Sequence, residues 1–535
     1  MPPTFSGCGR ILSLTLLTGS IASPAFPQCQ TAKLVPSSGA PEDWFGFASA
    51  LDGDVALVGA QFHDAAGMNS GIAYVFRRNG RNWVQETEIA ASDELSGDLF
   101  GCSVALQGNR ALMGSSQDDF PGTDNAGSAY VVEWNGSQWV EVAKLVASDA
   151  VAGDAFGTSV AVDGDLAVVG AVNAGNNLTG AVYVYRFDGS QWIEEAKLTA
   201  SDAVLRDYFG YSVAVENDVI VVGAYYTEAT FEGKSYVYRY DGTSWTEEQI
   251  LIPSDPANLN YFGISVSIDQ GRIVVGAQGN SSAATRAGKA YVFEHDGVSW
   301  VETAQLVASD AEKFDFFGVS VDVEGDRVVV GAIADDDNAT NAGSVYLYEH
   351  DGVTWNEVGK LTAEDPLPID ELGRSVSISG EFILSGAFWA DDSGTDSGAA
   401  YVFFSSDDVA SWSNYGSGWP GTLGEPALTL SADPVLGTSV DLTLENSLGS
   451  PTSGMILIGF SQAAIPTNVG GTLLVLPNLI LPLALIPAPD LTLPLHVACN
   501  PNLSGVSAYL QTIEFDFGAS AGVAFTRGLQ MTFGF

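Results

Sequence analysis

Seven times along the chain a Phe-Gly or Leu-Gly pair is followed, 14 residues later, by Gly-Ala or Gly-Ser. The leading pairs start at Phe45, Phe100, Phe156, Phe209, Phe262, Phe317 and Leu372, in steps of 55, 56, 53, 53, 55 and 55 residues. Their partners start at Gly59, Gly114, Gly170, Gly223, Gly276, Gly331 and Gly386. No other feature limits the fold so strongly. A fixed period of this length means one supersecondary unit, unable to bury its apolar face alone, stacked against its own copies.

Within a period the pattern is strand-like throughout. "SVAV", a "DGD" turn, "LAVVGA", a polar loop, "AVYVYRF", a "DGS" turn and "QWIEEAKLTA" make four short runs. They are rich in β-branched and aromatic residues and separated by hairpin turns. No run holds a 3.6-residue apolar period long enough for a helix. Four strands repeated seven times predict an all-β fold, a seven-bladed β-propeller. The seventh unit lacks a fourth strand, whereas "CQTAKLVPSSGAPEDWFG" after the N-terminal apolar stretch reproduces the end of a unit. Ala32 to Pro36 is therefore expected to complete the last blade, so that Leu34 neighbours Tyr401 to Phe404 and no large sheet edge stays open. The once-per-unit Phe and Trp83, Trp139, Trp192, Trp245, Trp300 and Trp355 read as apolar wedges between blades.

The net charge of −45 repels nucleic acid and anionic surfaces, leaving cationic or neutral partners. Residues 1–25 read as a secretory signal, with Arg10 before an apolar run and small residues at its end. Its removal leaves Cys29, Cys102 and Cys499, an odd set: one thiol stays free, and a Cys29–Cys499 bridge is one pairing open to the others.

"FG", then "GA", then "GxxYVF" as in Gly71 to Phe76 identify the repeat as similar to the FG-GAP repeat. Over residues 28–406 the chain resembles the propeller of integrin α subunits and, more closely, bacterial secreted FG-GAP proteins. The resemblance implies adhesion or ligand binding, with calcium as cofactor in extended Asp-x-Asp-x-Asp-Gly loops. The corresponding hairpins here are only Asp52-Gly53-Asp54, Gln107-Gly108-Asn109, Asp163-Gly164-Asp165, Glu216-Asn217-Asp218, Asp269-Gln270-Gly271, Glu324-Gly325-Asp326 and Ser379-Gly380-Glu381, too short to wrap an ion.

Two other acidic sets remain. Asp93, Asp149, Asp202, Asp255, Asp310 and Asp365 each precede by five residues Asp98, Asp154, Asp207, Asn260, Asp315 and Asp370. Carboxylates at a strand entry suit Asx-type turns, with a ring of ion sites as the sharper alternative. The irregular loops after Gly-Ala hold the candidate metal ligands Asp335, Asp336, Asp337, Asn338, Asp391 and Asp392 and the candidate ligand-binding residues Asp118, Asp119 and Asp124. Variable loops on a regular scaffold are where recognition usually resides.

No nucleophile elbow, phosphate loop or zinc motif appears, and the four histidines form no constellation. Residues 407–422 read as a linker and 423–535 as a C-terminal β-sandwich, because its apolar run is cut by Pro477, Pro482, Pro487, Pro489 and Pro494 into pieces too short for a transmembrane helix. The expectation is a secreted or cell-surface, non-enzymatic propeller. It would bind an extracellular protein or glycan, with cell-surface association through the C-terminal domain. A carbohydrate-active hydrolase or lyase using paired loop carboxylates and a structural envelope component are the alternatives.

Overall fold

The computed structural model describes residues 29–534, apart from 81, 121–122, 176, 227–230, 407–409, 470 and 498–502. The proposed signal peptide and Cys499 lie outside the described residues. Every element is a strand, and seven four-stranded antiparallel sheets follow one another along the chain. The third is representative, with Phe156–Asp163, Leu166–Ala171, Ala181–Phe187 and Trp192–Leu198 in sequential order. Its second strand, "LAVVGA", is buried at every position, while the fourth, "WIEEAKL", alternates exposed and half-buried residues. That gradient runs from ring centre to rim. The first strands of all seven sheets line a common central channel, through Ser49, Val104, Val160, Val213, Val266, Val321 and Val376.

The seventh sheet combines Ser375–Ser379, Phe382–Ala387 and Ala399–Phe404 with Gln30–Leu34 from the other end of the chain. Leu34 pairs with Ala400 and Lys33 with Tyr401. The strand sits two residues earlier than the sequence suggested, ending before Pro36, which has no N–H to give to a ladder. The seventh sheet meets the first through the contact that joins every other pair of neighbours. A parallel bridge links Phe45 to Gly398, as it links Phe100 to Gly71 and Phe156 to Gly127.

Each joint explains the two recurring pairs. The Phe side chain is buried and packs edge-on against a Tyr of its own blade, as Phe156 does on Tyr183 at 5.4 Å. The following Gly has positive φ and bulges the strand, and its carbonyl lies against the Gly of the preceding blade's Gly-Ala pair. A Cβ on Gly170 would stand 2.1 Å from the oxygen of Gly210. Each first strand also ends in a side chain that accepts an N–H from the next blade's hairpin. Asp52 serves Gly108, Gln107 serves Gly164, Asp163 serves Asn217, Glu216 serves Gln270, Asp269 serves Gly325, Glu324 serves Gly380 and Ser379 serves Gly53. The short acidic hairpins thus clasp neighbouring blades.

The recurring Trp residues pack at the joints as expected: Trp300 is buried, and Trp83, Trp139, Trp192, Trp245 and Trp355 lie against apolar clusters that span neighbouring blades. Five of the six are half-buried at the rim, and two of these meet a cation of the preceding blade: Arg110 over Trp192 at 4.9 Å and Arg272 over Trp355 at 5.0 Å. Their position at the start of the outermost strand puts one face in water.

In the tail, Leu428–Leu430, Ser439–Glu445 and Asp490–His496 form one sheet, and a larger one has the order Ser411–Tyr415, Gly528–Thr532, Ser507–Phe515, Thr452–Gly459, Leu479–Ile486. Leu430, Leu442, Ile456, Leu510 and Met531 share one buried cluster with Leu34 and Phe404 of the seventh blade. Ser411–Tyr415 falls inside the expected linker yet pairs with the terminal strand. Its "SWSNY" is mostly exposed, so it lacked the apolar alternation that reveals a strand. Cys29 is disulfide-bonded and Cys102 is free.

Candidate ligand-binding face

The acidic residues of the inter-blade connections are held by hydroxyls and ammonium groups. Asp93, Asp149, Asp202, Asp255, Asp310 and Asp365 accept from the phenols of Tyr130, Tyr183, Tyr236, Tyr291, Tyr346 and Tyr401 at 2.7–3.1 Å. Each also meets a lysine: Lys144, Lys197, Lys234, Lys289, Lys360 and Lys33 respectively. Lys234 and Lys289 come from third strands, the other four from outermost strands. In the first blade Ser38 takes the Asp position, bonded to Tyr74 and Glu88. Burial pushes Asp310 up, but Lys360 and Tyr346 outweigh it and hold the carboxyl below its ordinary value. The same balance keeps Asp93, Asp202, Asp255 and Asp365 low.

The second set accepts backbone N–H groups, but from three residues before each carboxylate rather than two residues on, so these are not the Asx-type turns expected. Asp98 accepts from the N–H of Leu95, Asp154 from Val151 and Asp315 from Glu312. Burial pushes Asp98 and Asp315 up to about 6.

The loop candidates separate into three groups. Asp118 and Asp335 are buried beneath the lysines, and Asp392 pairs with Lys33 at 2.6 Å. Asp119, Asp336 and Asp391 close their own loops by accepting from Asn125, Asn341 and Asp396, residues with positive φ. Asp124 and Asn338 are exposed. Oxygens of Asp310, Asp335 and Asp337 do converge, within 4.8 Å of one another. Lys360 Nζ stands among them at 2.7, 2.8 and 2.5 Å, where a cation would sit. Burial pulls this ammonium down, but the three carboxylates raise it above its ordinary value.

A different set of residues gathers around the channel. The position after each recurring Gly presents Phe47, Cys102, Thr158, Tyr211, Ile264, Val319 and Arg374 to a cavity of about 390 Å³. Below them Ser103, Ser159, Ser212, Ser265, Ser320 and Ser375 donate to glycine carbonyls of the next blade. Two aromatic clusters flank this mouth. At the joint of the seventh and first blades, Trp44 packs on Phe62, Phe388 and Trp389 at 4.4–5.5 Å, and Arg374 lies 4.2 Å above Phe47. At the joint of the fourth and fifth, Tyr225 packs on Tyr211 at 4.4 Å and near Tyr208 and Tyr261. Trp44, Tyr208 and Tyr261 share a φ of 53–58° with Leu99, Ala155, Phe316 and Glu371, the residues directly before the other anchors, so this conformation belongs to the repeated joint. Non-glycine residues are uncommon there and persist only when their surroundings over-determine them.

Sequence reasoning missed this face. The signal was a variable position between an invariant Gly and a Ser that gives way only to Ala48: Phe, Cys, Thr, Tyr, Ile, Val and Arg directly after the same glycine. The histidines remain scattered. His295 and His350 pack on Trp300 and Trp355, and His63 stacks near Tyr74.

Seven radial blades around a hydroxyl-lined channel, with an aromatic mouth on one face, define a β-propeller of the ligand-presenting kind. The chain belongs to the FG-GAP repeat family, which matches residues 29–76, 83–132, 139–185, 192–238, 245–293, 300–348 and 355–403, more than half its length. Each matched segment begins on the outermost strand of one blade and ends on the third strand of the next, so the repeat corresponds to a joint. No curated relative matches the chain. Among the described residues no helix is long and apolar enough to cross a membrane.

Proposed function

We propose that this is a secreted, non-enzymatic FG-GAP propeller that binds an extracellular ligand at the channel mouth. The aromatic clusters flanking that mouth carry the reading. Half-exposed Trp and Tyr rings offer apolar faces with polar edges, a combination suited to the C–H faces and hydroxyls of a saccharide. The acidic field favours a neutral chain over an anionic one. Catalysis has little support, since the carboxylates that approach one another are matched by lysines. The N-terminal pattern, Arg10 before an apolar run that ends in small residues, supports an extracellular site of action.

Affinity electrophoresis on neutral and anionic polysaccharides tests the proposal. Retardation by a neutral polymer, reduced at least about tenfold by Tyr211→Ala with Trp44→Ala, is expected. Release of sugar would assign the chain to the glycan-cleaving class instead. A basic protein segment is the second reading, favoured by the net charge of −45; its binding would fall steeply with salt, whereas saccharide stacking would not. Calcium at Asp310, Asp335 and Asp337 is tested in the same assay. Retention lost to a chelator in the wild type but kept in Asp337→Asn would place an ion there, and retention unchanged in both would leave that role to Lys360.

A further inference from the structure

The edge strand Leu479–Ile486, "LILPLALI", has no polar side chain on either face. It pairs with Thr452–Gly459 on one side and with no strand on the other among the described residues. Leu479, Ile480, Leu481 and Leu485 are exposed, Leu485 by 61%. The other edges of the tail are built differently. Ser411–Tyr415 is polar, and Asp490–His496 alternates, with Leu491, Leu493 and Leu495 packed on the core. The apolarity of Leu479–Ile486 therefore exceeds what the sandwich needs.

The ridge continues at both ends. Leu476 and Phe460 adjoin it through Ser461 and Asn478, with Phe460 62% exposed. At the far end Ile486 pairs with Thr452, whose hydroxyl bonds to the carbonyl of Phe515, itself exposed. Between Glu445 and Asp490 the sequence has no charged residue and no histidine, in a chain of net charge −45.

We propose that this ridge seats the protein in the interfacial layer of a zwitterionic lipid surface. Three observations select that occupant. First, an added strand would find no donor at Pro482, in the middle of the open edge; this disfavours a second copy or an extended peptide. Second, apolar side chains on both faces and the rim form a three-sided ridge, which a fluid layer covers without a matching groove. Third, a charge-free ridge on an acidic chain meets least repulsion at a surface without net charge. Shallow seating leaves the open backbone groups at headgroup depth, where water still reaches them.

Vesicle co-sedimentation of the full-length chain, and of the same chain lacking residues 1–25, tests the assignment. Both are expected to bind phosphatidylcholine vesicles, and to bind phosphatidylglycerol vesicles less at low salt. Ile480→Asn with Leu485→Asn should weaken binding at least about tenfold while leaving the melting temperature unchanged, since both side chains are exposed. The assignment is overturned if neither chain sediments, if only the chain with residues 1–25 does, or if the double variant binds equally. A wild-type dimer that the double variant converts to monomer would give the ridge to a second copy. Saccharide binding at the channel mouth is scored separately and does not depend on this result.

Discussion

A Cβ on Gly386 would lie 1.8 Å from the carbonyl oxygen of Gly46, and that oxygen belongs to backbone that cannot yield cheaply. Gly386→Ala is therefore expected to lower stability by about 2–4 kcal/mol, read as a reduced denaturant midpoint. It strikes the joint between the seventh and first blades. Lys360 makes the opposite point, because its removal leaves three mutually close carboxylates without a cation. Lys360→Met should cost about 2–3 kcal/mol at neutral pH. The loss should shrink as pH falls below 3.8 and through the lowered folded value of Asp310, which parallel titrations at about pH 7 and about pH 3 would reveal. The glycines were legible in the sequence as a repeated pair, since backbone contact allows one residue type. The lysine was not, because it reaches its partners from a strand 23–50 residues away.

At the scale of the element, Gln30–Leu34 joins the two ends of the propeller. Its register against Ala399–Phe404 is reinforced by Lys33 on Asp365 and Asp392 and by the Phe404 N–H donating to the carbonyl of Cys29 at 2.8 Å. Cys102 is free, so the partner of Cys29 lies outside the described residues, and we propose that it is Cys499. Non-reducing peptide mapping of the secreted chain should recover a Cys29–Cys499 pair; a free Cys29 peptide would refute it. The repeat made this strand visible, because "AKLV" copies the end of a unit. Ser411–Tyr415 copies nothing and is polar, so only its partner Gly528–Thr532 makes it a strand.

Across the whole molecule, acid and base act on two populations of carboxylates with opposite sign. Asp98, Asp315 and Asp322 are raised by burial to about 6 from an ordinary 3.8. Their contribution is fully present below 3.8 and is lost as pH rises through 6. Asp93, Asp149, Asp202, Asp255, Asp310 and Asp365 are held low, so their contribution is present above 3.8 and is lost as pH falls through their folded values. The melting temperature should peak between about pH 4 and 6, and a monotonic rise towards pH 8 in a calorimetric series would contradict this balance. By itself the sequence determined the number of blades, their strands and the joint that repeats between them, because close backbone packing and buried aromatics tolerate few alternatives and must recur wherever the joint recurs. The tertiary structure alone decided which acidic groups are spent on lysines and hairpin N–H groups, and which variable side chains meet at the channel mouth. Those assignments depend on residues some 50 positions apart coming together around a ring, and local pattern carries no record of that distance.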